Sequence, residues 1–168
     1  MIDRASKDCH PAAQALARYF YMSDQSCSDT SLQKVEASLT GFFQDLGCRL
    51  SEYGPTQVVI ELRLQPRHLN NASSLHGGVS ATLLDVAMGL CGTWVEQADQ
   101  RRVATTLSMN INFSAPARAG SLVRAVARCR SSGHKVFMAS CDLLDEEDRL
   151  LAFGEGVYQR GKLRSELP

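Results

Sequence analysis

Hydrophobic positions along the chain change period twice. From Val58 to Leu64 they alternate, with Val58, Ile60, Leu62 and Leu64 on one side and Val59, Glu61 and Arg63 on the other, until Pro66 closes the run. A period of two marks a half-buried β-strand. From Val79 to Val95 the chain is apolar almost throughout, with Asp85 in its middle. As a helix that stretch spans only about 25 Å and carries a charge, so it predicts a buried core helix rather than a membrane span. Alternation then returns, with Leu107, Met109, Ile111 and Phe113 against Ser108, Asn110 and Asn112, and Pro116 and Gly120 break it. The run LVRAVARCR sets Val123, Ala125, Ala127 and Cys129 against Arg124, Arg128 and Arg130. Ser131-Ser132-Gly133 reads as a hairpin turn into HKVFMASCDLL, and Asp145 to Asp148 turns the chain into LLAFGEGVYQ. The predicted order is one strand, a long helix, then four strands on short turns. Short links imply antiparallel pairing, so the expected class is α+β, an antiparallel sheet enclosing one helix.

The chain ahead of this pattern differs. Pro11 suits a first helical turn and AAQALARYFYM continues it, while SDQSCSDTS reads as a linker. Thr30 with Gln33 fits a capping box, Leu32, Val35 and Leu39 fall at helical spacing, and Gly41 is placed to stop that helix. The division this suggests is an N-terminal extension over 1–38, a main domain over 39–160 and a tail over 161–168. Gly154-Glu155-Gly156, inside the last strand pattern, reads as a bulge.

Composition narrows the classes. A chain of 168 residues, 44% hydrophobic and 21% charged, is one ordinary globular domain and not a disordered or fibrous one. Eighteen basic and eighteen acidic residues cancel, which argues against broad attraction to nucleic acid or an anionic membrane and removes long-range self-repulsion. The six cysteines form no CxxC pair and the opening MIDRASKDCHPAAQ has no apolar signal core, so reduced thiols and a cytoplasmic setting are expected. The four histidines form no HExxH, and no metal or other cofactor is expected.

Candidate chemistry gathers in NNASSLHGGVSATLLDVAMG, residues 70–89. Gly77 and Gly78 open the helix, where backbone N–H groups lack partners and side chains do not shield them. Such a helix start can donate to a carbonyl oxygen that becomes negative during attack. Asp85 places a carboxylate in an apolar helix, a costly position unless it is hydrogen-bonded or functional. Asn70 and His76 flank the loop. Gly77 and Asp85 stand ~12 Å apart along a helix and about 80° around it, too far to touch one carbonyl carbon. If both serve one reaction, they come from two copies, and a symmetric dimer with antiparallel helices would pair them twice.

LHGGVSATLLD, with Asn70 before it and MNINFSAPARAG after it, resembles the hotdog-fold acyl-CoA thioesterases of the phenylacetate-degradation (PaaI-like) type. The resemblance runs from about Gly41 to Tyr158. It implies a long helix wrapped by an antiparallel sheet, a dimer or dimer of dimers with sites at the interface, and hydrolysis of an acyl-CoA. It puts the acidic catalyst on Asp85, the oxyanion-hole glycine on Gly77, the loop asparagine on Asn70 and a water-placing hydroxyl on Thr106. His76 then holds the loop or the leaving group, Gly78 adjoins the substrate, and Arg118, Arg124, Arg128, Arg130 and Lys135 are candidates for the CoA phosphates. The chain departs from the pattern at Ser73-Ser74, where relatives often have glycine. Two rivals are a non-catalytic acyl-CoA sensor and a hotdog dehydratase or hydratase. The HGG triplet also matches serine-esterase oxyanion motifs, but no GxSxG accompanies it.

Overall fold

The computed structural model describes residues 29–163, so the expected AAQALARYFYM helix, the linker up to Ser28 and residues 164–168 lie outside the described residues, while the last three residues of that expected linker, Asp29 to Ser31, begin a helix. In chain order the elements are α1 (Asp29–Ala37), α2 (Phe42–Leu46), β1 (Arg49–Tyr53), β2 (Val58–Arg63), α3 (Gly77–Cys91), β3 (Arg102–Phe113), β4 (Leu122–Ser132), β5 (Val136–Leu144) and β6 (Leu150–Leu163). Short 3-10 turns occupy Pro66–His68 and Ala98–Gln100. The strands form one six-stranded sheet in the order β1-β2-β4-β5-β6-β3, with every neighbouring pair antiparallel.

α3 packs on this sheet against β2, β3, β4, β5 and β6. Its residues Val79, Leu83, Leu84, Ala87, Met88, Leu90 and Cys91 are buried, while Ala81, Thr82, Asp85, Val86 and Gly89 form a half-buried stripe with Asp85 as its one charge. The facing strands supply Val58, Ile60 and Leu62, then Val123, Ala125 and Ala127, then Phe137, Ala139, Cys141 and Leu143, all buried. These alternate positions are the inward half of each period-two pattern. Burial pushes the Cys48 thiol up to about 11 and the Cys91 thiol up to about 12. Both are therefore neutral at physiological pH and pack as small apolar groups. α1 lies on β1: Val35 is buried in the core and the Glu36 carboxylate accepts the Leu50 N–H at 3.0 Å.

Four details differ from the sequence pattern. β1 is a second strand ahead of α3. Its pairing with β2 shifts register between Leu50 and Glu52, so its buried residues Leu50 and Tyr53 stand three apart and no period of two appears. α1 starts at Asp29, one residue ahead of the capping-box Thr30, and ends at Ala37. Gly41 therefore does not stop it; Gly41 precedes α2 with φ 67°, a left-handed backbone that glycine adopts freely. Gly154 to Gly156 form no bulge, since they pair in regular register with Ile111, Asn110 and Met109. Space accounts for those glycines: a Cβ at Gly154 would lie 2.7 Å from the Asn110 carbonyl oxygen, and one at Gly156 2.7 Å from the Tyr158 ring. Finally, β3 is an edge strand, and the chain leaves its apolar side open, with Leu107 53% and Phe113 62% exposed.

Candidate active site

The loop entering α3 is tied by its own polar groups. Asn70 Oδ1 accepts from Ala72 N at 2.9 Å, Ser74 N at 3.2 Å and Ser74 Oγ at 3.1 Å, an Asx turn that folds the segment back on itself. Ser73 takes φ 54° there, a left-handed backbone that glycine adopts more freely than serine. Arg118 Nη1 clamps the same loop by donating to the Ala72 and Ser73 carbonyls at 3.1 and 2.8 Å. His76 is the N-cap of α3, and its Nδ1 accepts the Gly78 N–H at 2.9 Å, which puts a neutral ring's proton on Nε2.

That cap leaves one donor over. The Val79 and Ser80 N–H groups bond the His76 carbonyl and the Gly78 N–H bonds the His76 ring. The Gly77 N–H makes no hydrogen bond among the described residues. Gly77 lines a cavity of about 350 Å³ together with Asn70, Ser80 and Phe113, among others. An N–H without a partner at the positive end of a helix macrodipole is a group that can donate to an anion.

Two turns on, Asp85 is half-buried. Thr106 Oγ1 donates to its Oδ1 at 2.8 Å and the Tyr158 hydroxyl donates to the same oxygen at 3.1 Å. Oδ2 accepts no hydrogen bond among the described residues, so one carboxylate oxygen is anchored and the other is left to act. The β3 register shifts between Thr106 and Ser108, opposite Tyr158 and Val157, and Leu107 is the extra residue. That bulge re-aims the strand where Thr106 meets Asp85. Burial, reinforced by the Asp85 charge, raises Tyr158 well above the ordinary tyrosine value, so its hydroxyl stays protonated and donating. Its ring is 1% exposed and stacks on Phe137 at 5.2 Å between centroids.

Tyr158 is the site residue that sequence reasoning missed. The available signal was Gly156, two residues before it on the same strand face, where a Cβ would lie 2.7 Å from the Tyr158 ring.

Asp85 lines a second cavity, of about 240 Å³, with Val86, Gly89, Arg101, Thr106 and Tyr158. Within one chain, then, Asn70, His76, Gly77, Gly78 and Arg118 gather at one end of α3, and Asp85 with Thr106 two turns away. The remaining basic candidates are elsewhere. Arg124 pairs with Asp148, Arg128 donates to Gln57 at 3.1 Å and Arg130 to Ser140 at 2.6 Å, on the sheet face away from α3. Lys135 sits in the β4–β5 turn, where its carbonyl accepts the Arg160 N–H at 2.8 Å. Among the described residues no three His, Cys, Asp or Glu side chains converge as a metal site, and no helix is long and apolar enough to cross a membrane.

The thioesterase superfamily model matches residues 72–152, the stretch that holds the lining of both cavities except Asn70, Tyr158 and the α1 end. A Pseudomonas aeruginosa protein named as an esterase is 31% identical over 102 residues, 61% of this chain and 74% of that one. Acyl-coenzyme A thioesterase 13 of Mus musculus is 27% identical over 142 residues, 83% of this chain and 99% of its own. The solved structure of the E. coli PaaI protein, from the phenylacetic acid degradation operon, shares the fold with a TM-score of 0.71 at 21% identity. That likeness covers 82% of this chain and 98% of the PaaI chain. The chain belongs to the thioesterase superfamily and has the hotdog fold.

Proposed function

We propose that this protein hydrolyses acyl-CoA thioesters to a free acid and CoA, in a site shared by two copies of the chain. The observation that carries the reading is the half-anchored Asp85: both donors hold Oδ1, and Oδ2 is left to act. The thioester carbonyl oxygen takes the Gly77 N–H of one subunit, and Oδ2 of the other subunit's Asp85 works at the carbonyl carbon. Oδ2 either removes a proton from water as the water oxygen bonds to that carbon, or bonds to it directly and is released by water afterwards. In both routes the carbon–sulfur bond breaks, and the thiolate of CoA leaves and is protonated. Gly77 stabilises the oxyanion between those events. Family membership and the thioesterase names among the relatives support the reaction class.

β3 supports the shared site. Thr106, in the first half of the strand, bonds Asp85; Phe113, its last residue, lies 3.4 Å from where a Cβ of Gly77 would be. A second β3 pairing antiparallel on this open edge would put the Phe113 end of each chain beside the Thr106 end of the other. It would also cover Leu107, Met109 and Phe113, which the single chain leaves exposed.

The test is CoA release from a panel of short, long and aromatic acyl-CoAs, with Asp85→Asn as the comparison and a substrate-free control for the protein's own thiols. Loss of about 10²-fold or more in a folded Asp85→Asn variant is expected. Tight acyl-CoA binding without release, equal in both proteins, would instead identify a sensor.

A further inference from the structure

A glycine in the interior of α3 lacks a structural reason. Glycine is a poorer helix former than alanine, because it leaves more backbone freedom to be lost on folding. Elsewhere on this chain such glycines have a cause: a Cβ at Gly92, just past the helix, would lie 1.9 Å from the Phe137 ring. At Gly89 a Cβ would sit 3.5 Å from the Ala104 Cβ and 3.8 Å from the Tyr158 ring, ordinary contact distances. Alanine fits this chain and would strengthen the helix, yet the position is empty.

The emptiness lies in the cavity that starts at Asp85. From Asp85 and Thr106 this cavity runs along one face of α3 past Val86, Gly89 and Leu90, with Val103 and Ala104 of β3 opposite, to Ser38, Leu39 and Arg101. Beyond Asp85 its flanks are the apolar Val86, Gly89, Leu90, Val103 and Ala104, and Thr93 lines it with Ser38 and Arg101. Gly89 is one helical turn, ~6 Å, beyond Asp85 toward the helix C-terminus.

We infer that this channel holds the acyl chain of the substrate and that Gly89 is the residue that sets its permitted length. This rests on the hydrolase reading for where the reacting carbonyl sits. An extended chain advances a little over ~1 Å per bond, so it draws level with Gly89 about five bonds from the carbonyl. Acyl groups shorter than that never reach the position; longer ones lie across it.

The experiment measures both turnover and binding for wild type, Gly89→Ala and Gly89→Leu. Turnover is read on acetyl-, butyryl-, octanoyl- and dodecanoyl-CoA. Binding is read by titration with S-alkyl-CoA thioethers of the same lengths, which cannot be hydrolysed. Gly89→Leu is expected to lower the ratio of octanoyl- to acetyl-CoA kcat/KM at least about tenfold, with Gly89→Ala intermediate. The affinity gained from butyl to octyl thioether in wild type should be lost in Gly89→Leu. A uniform fall across all lengths, an unchanged ratio, or a Gly89→Ala protein whose oligomer dissociates in sedimentation would overturn the inference. If wild type releases no CoA while the thioether series still shows the length step and its loss, the channel stands and the hydrolase reading falls.

Discussion

Gly77→Pro deletes one hydrogen-bond donor at the start of α3 while suiting the backbone around it. Gly77 is the first helical residue, the position where proline is favoured because that N–H has no helical partner. His76 has φ −68° and ψ 132°, in the extended region that a residue preceding proline prefers. The Phe113 ring, 3.4 Å from the added Cβ, is at ordinary contact distance. Stability should therefore change by no more than about 1 kcal/mol, and in the direction of gain if the fixed φ restricts the unfolded chain. Activity should not be spared. Loss of one preorganised oxyanion donor costs about 10²–10³ in kcat, roughly 2.7–4 kcal/mol of transition-state stabilisation. Gly77→Ala, which keeps the N–H and adds only the Cβ, is the control. Initial-rate CoA release gives kcat and KM, and urea unfolding gives stability. If folded Gly77→Pro keeps more than about a tenth of wild-type kcat, the Gly77 N–H is not the oxyanion donor. Equal losses in the proline and alanine variants would reduce the effect to crowding.

Three further outcomes follow from single contacts. Tyr158→Phe keeps the stack on Phe137 but removes a donor from Asp85 Oδ1, so kcat/KM should fall about tenfold and stability by about 1 kcal/mol, read by kinetics and urea unfolding. Ser73→Gly should stabilise the fold by about 0.5 kcal/mol, the ~1 kcal/mol of left-handed strain at φ 54° less glycine's added freedom when unfolded, again by urea unfolding. His68 is buried, and burial, with Arg67 beside it, holds its imidazole below the ordinary value of 6.5. Its folded form binds a proton less readily than its unfolded form, so its contribution is complete above pH 6.5 and is lost as pH falls from there toward the lowered folded value. Thermal unfolding from pH 8 to 5 should show that loss in wild type and a shallower one in His68→Gln.

What the sequence made legible was whatever kept a clean period or a local motif. β2, β3, β4 and β5 alternate because each faces α3 on one side, and α3 reads as one apolar run because its sheet-facing side is buried and its half-buried side carries Ala81, Val86 and Gly89 beside Asp85. β1 was not legible, since its bulge puts Leu50 and Tyr53 at a spacing that belongs to neither period. In the site, Asp85, Gly77 and Thr106 were named because a charge in an apolar helix, paired glycines and a family motif are local signals. Tyr158 was not, because its contact with Asp85 spans 73 positions and joins the last strand to the helix. The open apolar side of β3 has the same character. Its alternation announces a buried face, and the cover is not supplied by the described residues of one chain.

The claim that two chains share each site is tested most directly by mixing two inactive proteins, Asp85→Asn and Gly77→Pro, and letting the subunits exchange. In a mixed dimer one site receives both substitutions, and the other pairs an intact Asp85 with an intact Gly77 from the opposite chain. Random exchange makes half the dimers mixed, with one restored site in two, so about a quarter of wild-type kcat should return. If Asp85 and Gly77 act within one chain, every site keeps one substitution and the mixture stays as inactive as its parents.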